Sequence, residues 1–254
     1  DSSVTGVQTC ALPILGDALG QQVIVDNRPG AGTVIGTDLV AKSTPDGHTL
    51  LLASGAMSIN HSLYPKLPYD TLRDFAGITH IGSVPFVIVA HPQFAASSVR
   101  ELVALAKARP GFVTVGATVS GQLMIELFKS ASGLQALIVP YKGLAPAMTD
   151  VISGQIHLTL GTHSTLGPHI RSGRLKAIAV TGKARTRTAP DIPAVSEAGY
   201  RDFDAVTWYG IAVAARTPVA IVERLHRESV AILRRPDMDR RLVAEGVDLV
   251  AGLP

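Results

Sequence analysis

The apolar positions of this chain fall into short runs broken by glycine, proline and small polar residues. Val23-Ile24-Val25, Thr49 to Ala53, Phe75 to Ile81, Val84 to Ala90, Phe112 to Val115, Ala136 to Val139, Gly154 to Leu160, Leu175 to Val180 and Ala205 to Val213 have the length and apolar content of strands. Helical spacing appears between them. Ile35, Leu39 and Val40 lead to the stop Pro45-Asp46-Gly47. Leu102, Val103 and Ala106 share one face of a helix from Val99 to Lys107, which Ser97 or Ser98 can cap. The segment LMIELFKSASG closes on Gly133, Pro146 to Ile152 and Pro168 to Gly173 are short helices, and Val222, Leu225, Val230 and Leu233 stripe a helix from Pro218 to Arg234. Strands alternating with helices predict an α/β chain with parallel pairing and right-handed crossovers.

In such sheets ligands bind outside the carboxyl ends of the strands, so the turn after each strand is the place to look for a site. Gln22 to Ser43 reads as strand, glycine turn and helix, an arrangement that presents backbone N–H groups beside a helix dipole. Its Gly30-x-Gly32-x-x-x-Gly36 spacing is one residue longer than a dinucleotide fingerprint, and glycines that only permit the turn are the plainer reading. The same logic recurs at Ser54-Gly55-Ala56-Met57-Ser58 and at Gly116-Ala117-Thr118-Val119-Ser120-Gly121-Gln122. A third turn, Gly161-Thr162-His163-Ser164-Thr165, comes after the strand ending at Leu160. Each could offer hydroxyls and N–H groups to an anion, and each could equally be an ordinary turn or helix cap.

Composition narrows the classes. A chain of 254 residues that is 46% hydrophobic can bury one large core or two smaller ones. The net charge of +3 comes without Lys or Arg runs and without an aromatic-basic patch, so nucleic acid is not an expected partner. No apolar stretch reaches the ~20 residues of a membrane helix. One cysteine, Cys10, excludes an internal disulfide and a multi-cysteine metal site. No G-x-S-x-G elbow, H-E-x-x-H or P-loop is present, and the eight histidines lack ligand spacing. Catalytic residues, metal and cofactor are therefore all expected to be absent. Lys142 has no neighbouring base in sequence and reads as a surface charge, and Tyr141 as core.

The string DNRPGAGTVIGTDLVAK followed by STPDGHTLLLASG resembles the Bug/TctC family, the substrate-binding proteins of tripartite tricarboxylate transporters. The blocks HSLYPKLPYDTLRDFAGIT, VPYKGLAPAMTDVISGQIHL, GPHIRSGRLKAIAVTGKARTRTAPDIPAVSEAGY and WYGIAVAARTP continue in the family's order, from about Leu15 to the last residue. The resemblance implies a two-lobed, type II periplasmic-binding-protein-like α/β fold, each lobe a mainly parallel sheet flanked by helices. Lobe 1 would hold residues 15–86 and 207–254, and lobe 2 residues 87–206. It implies a monomeric periplasmic receptor that closes on a small organic carboxylate between its lobes and presents it to membrane permease subunits. A ligand sensor for signalling, or an enzyme on the same scaffold, are the alternatives. The ligand-binding residues expected from it are Ser54, Gly55, Ala56, Gly116, Ala117, Thr118, Ser120, Gly161, Thr162 and His163. Relatives often carry Asp where this chain has Gly161, so a ligand without an amino group is expected. Trp208 would lie at the hinge or cleft rim, or in the core.

The first fourteen residues, DSSVTGVQTCALPI, lack the basic start and sustained apolar core of a signal peptide. VTGVQTCALPI is what in-frame translation of a common sequencing-library adapter produces, so Asp1 to Ile14 is read as a non-native leader. By the same resemblance the export signal, first strand and first binding loop are expected to be missing, and the end, VDLVAGLP, to fall short of a final helix.

Overall fold

Two units make up the chain, one holding the described residues up to Ser83 and from Thr207 onward, the other Val84 to Val206. The structure, a computed structural model, describes residues 15–252 apart from residues 29, 31 and 32. The leader at residues 1–14 lies outside the described residues, as do Pro29, Ala31 and Gly32 of the glycine turn.

The first unit contains α1 (Val34–Ala41), β1 (Leu51–Ser54), α2 (Gly55–Leu63), the first half of β2 (Phe75–Ala90), nearly all of β7 (Val206–Ala214), α7 (Val219–Leu233), α8 (Pro236–Ala244) and β8 (Asp248–Gly252). β1 runs antiparallel to β7, with Ala53 opposite Gly210 and Ser54 opposite Tyr209. β8 lies antiparallel on β2, where Thr79 Oγ1 donates to the Gly252 carbonyl at 2.9 Å. α7 buries Leu225, Ser229, Ile232 and Leu233, and His226 Nδ1 bonds the Ile78 carbonyl at 2.7 Å. α8 and β8 were not expected. α8 buries only Met238 and Leu242, and β8 is a five-residue segment that pairs with β2 far away in the chain, so their signal is tertiary.

The predicted strand at Val23-Ile24-Val25 does not form. Residues 22–28 have no strand structure, and Ile24 is 79% exposed. Among the described strands β1 pairs with β7 alone. Its other edge faces residues 21–26 across a slot of about 360 Å³ lined by Leu50, Leu51 and Leu52. β-branched residues suit a strand only where a partner completes the ladder of backbone hydrogen bonds.

The second unit contains the end of β2, then α3 (Val99–Ala108), β3 (Val113–Ala117), α4 (Val119–Ser132), β4 (Ala136–Pro140), α5 (Leu144–Ile152), β5 (Leu158–Thr162), α6 (His163–Arg171), β6 (Lys176–Val180) and a 3₁₀ turn at Val195–Ala198. Its strands run in the order β6, β2, β5, β3, β4. β3 is parallel to both β4 and β5, while β2 is antiparallel to β5 and β6, so the sheet is mixed where a mainly parallel one was expected, and the pairings β1–β7 and β8–β2 of the first unit are antiparallel too. Residues of β2 alternate between two cores. Phe86, Ile88 and Ala90 join a cluster with Leu102 and Val103 of α3 and Ile125 and Phe128 of α4. Val87 and Val89 join another with Val151 of α5 and Leu166 of α6. Helices thus cover both faces, which is why the segment VPFVIVA is apolar throughout.

Phe75–Ile81 and Val84–Ala90, expected as separate strands, are one strand of 16 residues. α3 matches its predicted stripe, with Leu102, Val103 and Ala106 buried, and Ser98 is the cap, its hydroxyl accepting from Glu101 N–H at 3.2 Å. Gly133 ends α4 with φ of 69°, a conformation glycine adopts without a Cβ clash. Among the described residues no helix is long and apolar enough to cross a membrane.

Candidate functional site

The small polar turns expected after three strands are almost absent, because the helices begin at once. α2 starts at Gly55, α4 at Val119 and α6 at His163, preceded by Ser54, Thr118 and Thr162 in extended conformation. Gly161 and Thr162 belong to strand β5 itself. In each case the strand delivers the chain directly into a helix N-terminus, where backbone N–H groups lack partners within the helix and carry the positive end of its dipole.

The three capping hydroxyls do not cap. Ser54, Thr118 and Thr162 form no side-chain bond to the N–H groups of their own helices. Thr162 Oγ1 lies instead 3.0 Å from Ser164 Oγ and 3.1 Å from Thr165 Oγ1. Ser98, on a helix that no strand feeds directly, bonds its helix as a cap ordinarily does.

Parallel pairing sets the second unit's geometry. Val115 and Gly116 lie beside Leu158 and Thr159, and Ala117 beside Pro140, so the carboxyl ends of β3, β4 and β5 share one sheet edge. The N-termini of α4, α5 and α6 therefore open on that edge, bringing Ala117, Thr118 and Ser120 to the same side as Thr162. Tyr141 N–H donates to the Ala117 carbonyl at 3.0 Å, tying β4 to the end of β3. The Tyr141 hydroxyl donates to Asp150, and this bond together with burial raises the phenol above its ordinary value. Its ring lies against Gly116, where an added Cβ would meet Cε2 at 2.9 Å and collide with Ile156.

Gly116 and Gly161 are therefore buried beneath neighbours rather than exposed in open turns. Over Gly161 lie the methyls of Leu144, Cδ1 being 3.1 Å from the place of a Cβ. The His163 ring lies over Gly167, its Nε2 3.1 Å from the place of a Cβ there. Burial, and then Arg171, lower its basicity, so the ring is neutral at pH 7. In the first unit Ser54, Gly55 and Ala56 stand at the start of α2. Thr207 Oγ1 is 3.0 Å and Trp208 Cδ1 3.7 Å from the place of a Gly55 Cβ, and Trp208 meets the His80 ring edge-on at 6.3 Å. Thr207 and Leu144 were missed in the sequence, since their nearness to Gly55 and Gly161 is a long-range contact. Among the described residues no cluster of three His, Cys, Asp or Glu could hold a metal ion.

Paired helix N-termini and hydroxyls suit a small anion. The description "Tripartite tricarboxylate transporter family receptor" fits residues 11–253. The chain belongs to this family. The receptor is 36% identical over 245 residues to Protein BugT of Bordetella pertussis, covering 94% of this chain and 75% of BugT. It is similar to an R. palustris protein solved with adipate, with TM-score 0.83 and 28% identity over 98% of this chain and 85% of the other. MatC from Rhodopseudomonas palustris, with bound malate, matches with TM-score 0.78 and 25% identity over 97% of this chain and 85% of MatC. The receptor thus has the α/β fold of transport receptors, and the family assignment rests on nearly its whole length.

Proposed function

We propose that this receptor captures a small organic carboxylate in the periplasm, releases it unchanged to the membrane subunits of its transporter, and acts as a monomer without a cofactor. The observation that carries the reading is the shared sheet edge of the second unit, where α4 and α6 begin behind Thr118 and Thr162. A carboxylate accepts hydrogen bonds only, and helix N–H groups and hydroxyls can donate them without a buried countercharge. Ser54, Gly55 and Ala56 at the start of α2 form the same kind of donor set in the first unit. The relatives solved with adipate and malate support the ligand class.

Trp208, the chain's one tryptophan, stands beside Gly55 and supplies a direct readout. Titrating dicarboxylic and aromatic acids should change its emission and raise the melting temperature, by about 2.7 kcal/mol of stabilisation at a hundredfold excess over Kd. The acid should be recovered chemically intact. Conversion of the acid into a product would favour an enzyme, and silence across the panel would remove the carboxylate reading.

A further inference from the structure

The second unit's sheet has a narrow joint. β3 and β4 pair from Val113–Ala136 to Ala117–Pro140, whereas among the described residues β3 and β5 pair only at Val115–Leu158 and Gly116–Thr159. α4 follows β3 and α6 follows β5, so this joint sets how Thr118 stands relative to Thr162. Side chains brace it at both ends. Toward the site, Thr159 Oγ1 donates to the Gly116 carbonyl at 2.7 Å. At the far end His157 and Thr114 bond each other reciprocally. The Thr114 N–H donates to His157 Nδ1 at 3.2 Å, and the His157 N–H donates to Thr114 Oγ1 at 3.1 Å. That hydroxyl oxygen also lies 2.9 Å from Nδ1.

In this brace Nδ1 is an acceptor, which requires a neutral ring with its proton on Nε2. A proton on Nδ1 would set two donors head to head and break the brace. The ring lies beside Phe94 and Phe112, at centroid distances of 5.2 and 4.6 Å, and Arg109 covers the Phe112 ring at 3.7 Å. Lys176 of β6 donates to the Phe94 carbonyl, and the N–H of His91, just after β2, donates to the His157 carbonyl. Of the acids on adjoining elements, Glu101 of α3 accepts from the Ser97 N–H and Asp150 of α5 from the Tyr141 hydroxyl. Burial, and then Arg109, lower the basicity of the His157 ring.

We propose that the His157–Thr114 brace is a proton-operated latch on the ligand site: with a neutral ring it holds the starts of α4 and α6 together for a carboxylate, and on acidification it opens the joint and releases the ligand. The inference rests on the carboxylate reading above and adds proton control of the same site. The latch is complete above the ordinary imidazole value of about 6.5 and is lost as pH falls through it toward the depressed value.

The test compares wild type with His157→Asn, whose amide oxygen can accept where Nδ1 does but takes up no proton. Adipate and malate are titrated by calorimetry at pH 7.5 and 5.5, and amide exchange of residues 113–118 is followed without ligand at both pH values. Between the two pH values wild type should lose about tenfold more affinity than His157→Asn, the effect of one proton over one pH unit. The comparison cancels titration of the acids themselves and of His163, which both proteins share. At pH 5.5 residues 113–118 should exchange faster in wild type than in the variant, and at pH 7.5 equally. An equal loss of affinity, or equal exchange at pH 5.5, overturns the latch and leaves the carboxylate reading in place. Binding of neither acid overturns the carboxylate reading, and the exchange measurement then decides the latch by itself. If His157→Asn does not fold, the wild-type His157 resonance is titrated with and without adipate. By reciprocity bound adipate must lower the pH at which the ring takes its proton, and an unmoved titration overturns the latch.

Discussion

Gly116→Ala should destabilise the receptor, while Gly143→Ala, just before α5 in the same unit, should not. At Gly116 a new methyl would meet Tyr141 Cε2 at 2.9 Å and Cδ2 at 3.2 Å and collide with Ile156. Neither neighbour can step aside. Ile156 is 7% exposed, and Tyr141 is held by its bond to Asp150 and by its N–H to Ala117. The Gly116 carbonyl is also pinned, accepting from Thr159 Oγ1 at 2.7 Å. Overpacking of this kind costs roughly 1–3 kcal/mol. Stiffening the unfolded chain by Gly→Ala returns about 0.4–1 kcal/mol, because Gly116 has an ordinary backbone conformation. The net loss of about 1–2 kcal/mol corresponds to a fall in Tm of about 2–8 °C for a chain of this size. At Gly143 nothing lies nearer than Pro146 Cδ at 3.9 Å, and φ is −165°, so Ala fits. Circular dichroism melts of the two variants check the contrast, and Gly116→Ala with Ile156→Val should regain part of the loss. Equal melting of wild type and Gly116→Ala, or an equal fall for Gly143→Ala, would refute the packing argument.

Caps and site hydroxyls should separate cleanly. Ser98→Ala should cost about 1 kcal/mol of stability and leave binding alone, whereas Thr118→Ala, which breaks no cap bond, should leave Tm nearly unchanged and weaken carboxylate binding in calorimetry. His157 and His163 are depressed by burial, with Arg109 and Arg171 adding to the effect, so both are neutral in the fold. Their contribution is complete above the ordinary imidazole value of about 6.5 and is lost as pH falls through it toward the depressed values, which melts from pH 8 to 5 should show as a falling Tm. His157→Gln should flatten part of that fall. Glu197 is held at about 2 by Arg185, with its bond from the Ala194 N–H helping. Its contribution is present above 4.5 and lost as pH falls through about 2, so Glu197→Gln should make the acid limb of an unfolding curve shallower.

Much of the second unit was legible because its signals are local. The α3 stripe, its cap at Ser98 and the stop at Gly133 need only neighbours within a few residues. The apolar run of β2 announced a strand covered on both faces, and the small polar residues Ser54, Thr118 and Thr162 marked the change from strand to helix. Other features depend on partners far away in the chain. Val23-Ile24-Val25 looks like a strand by composition but pairs with no described strand, and composition cannot decide pairing. Polar Gly82-Ser83 suggested a break, yet β8 pairs there and the strand continues. Gly161 reads locally as an open turn. Only the arrival of α5, which starts at Leu144 because β4 packs parallel beside β3, turns it into a filled corner. Periodicity and capping are written in short windows, whereas the surroundings of a site are made by segments that meet only when the sheet assembles.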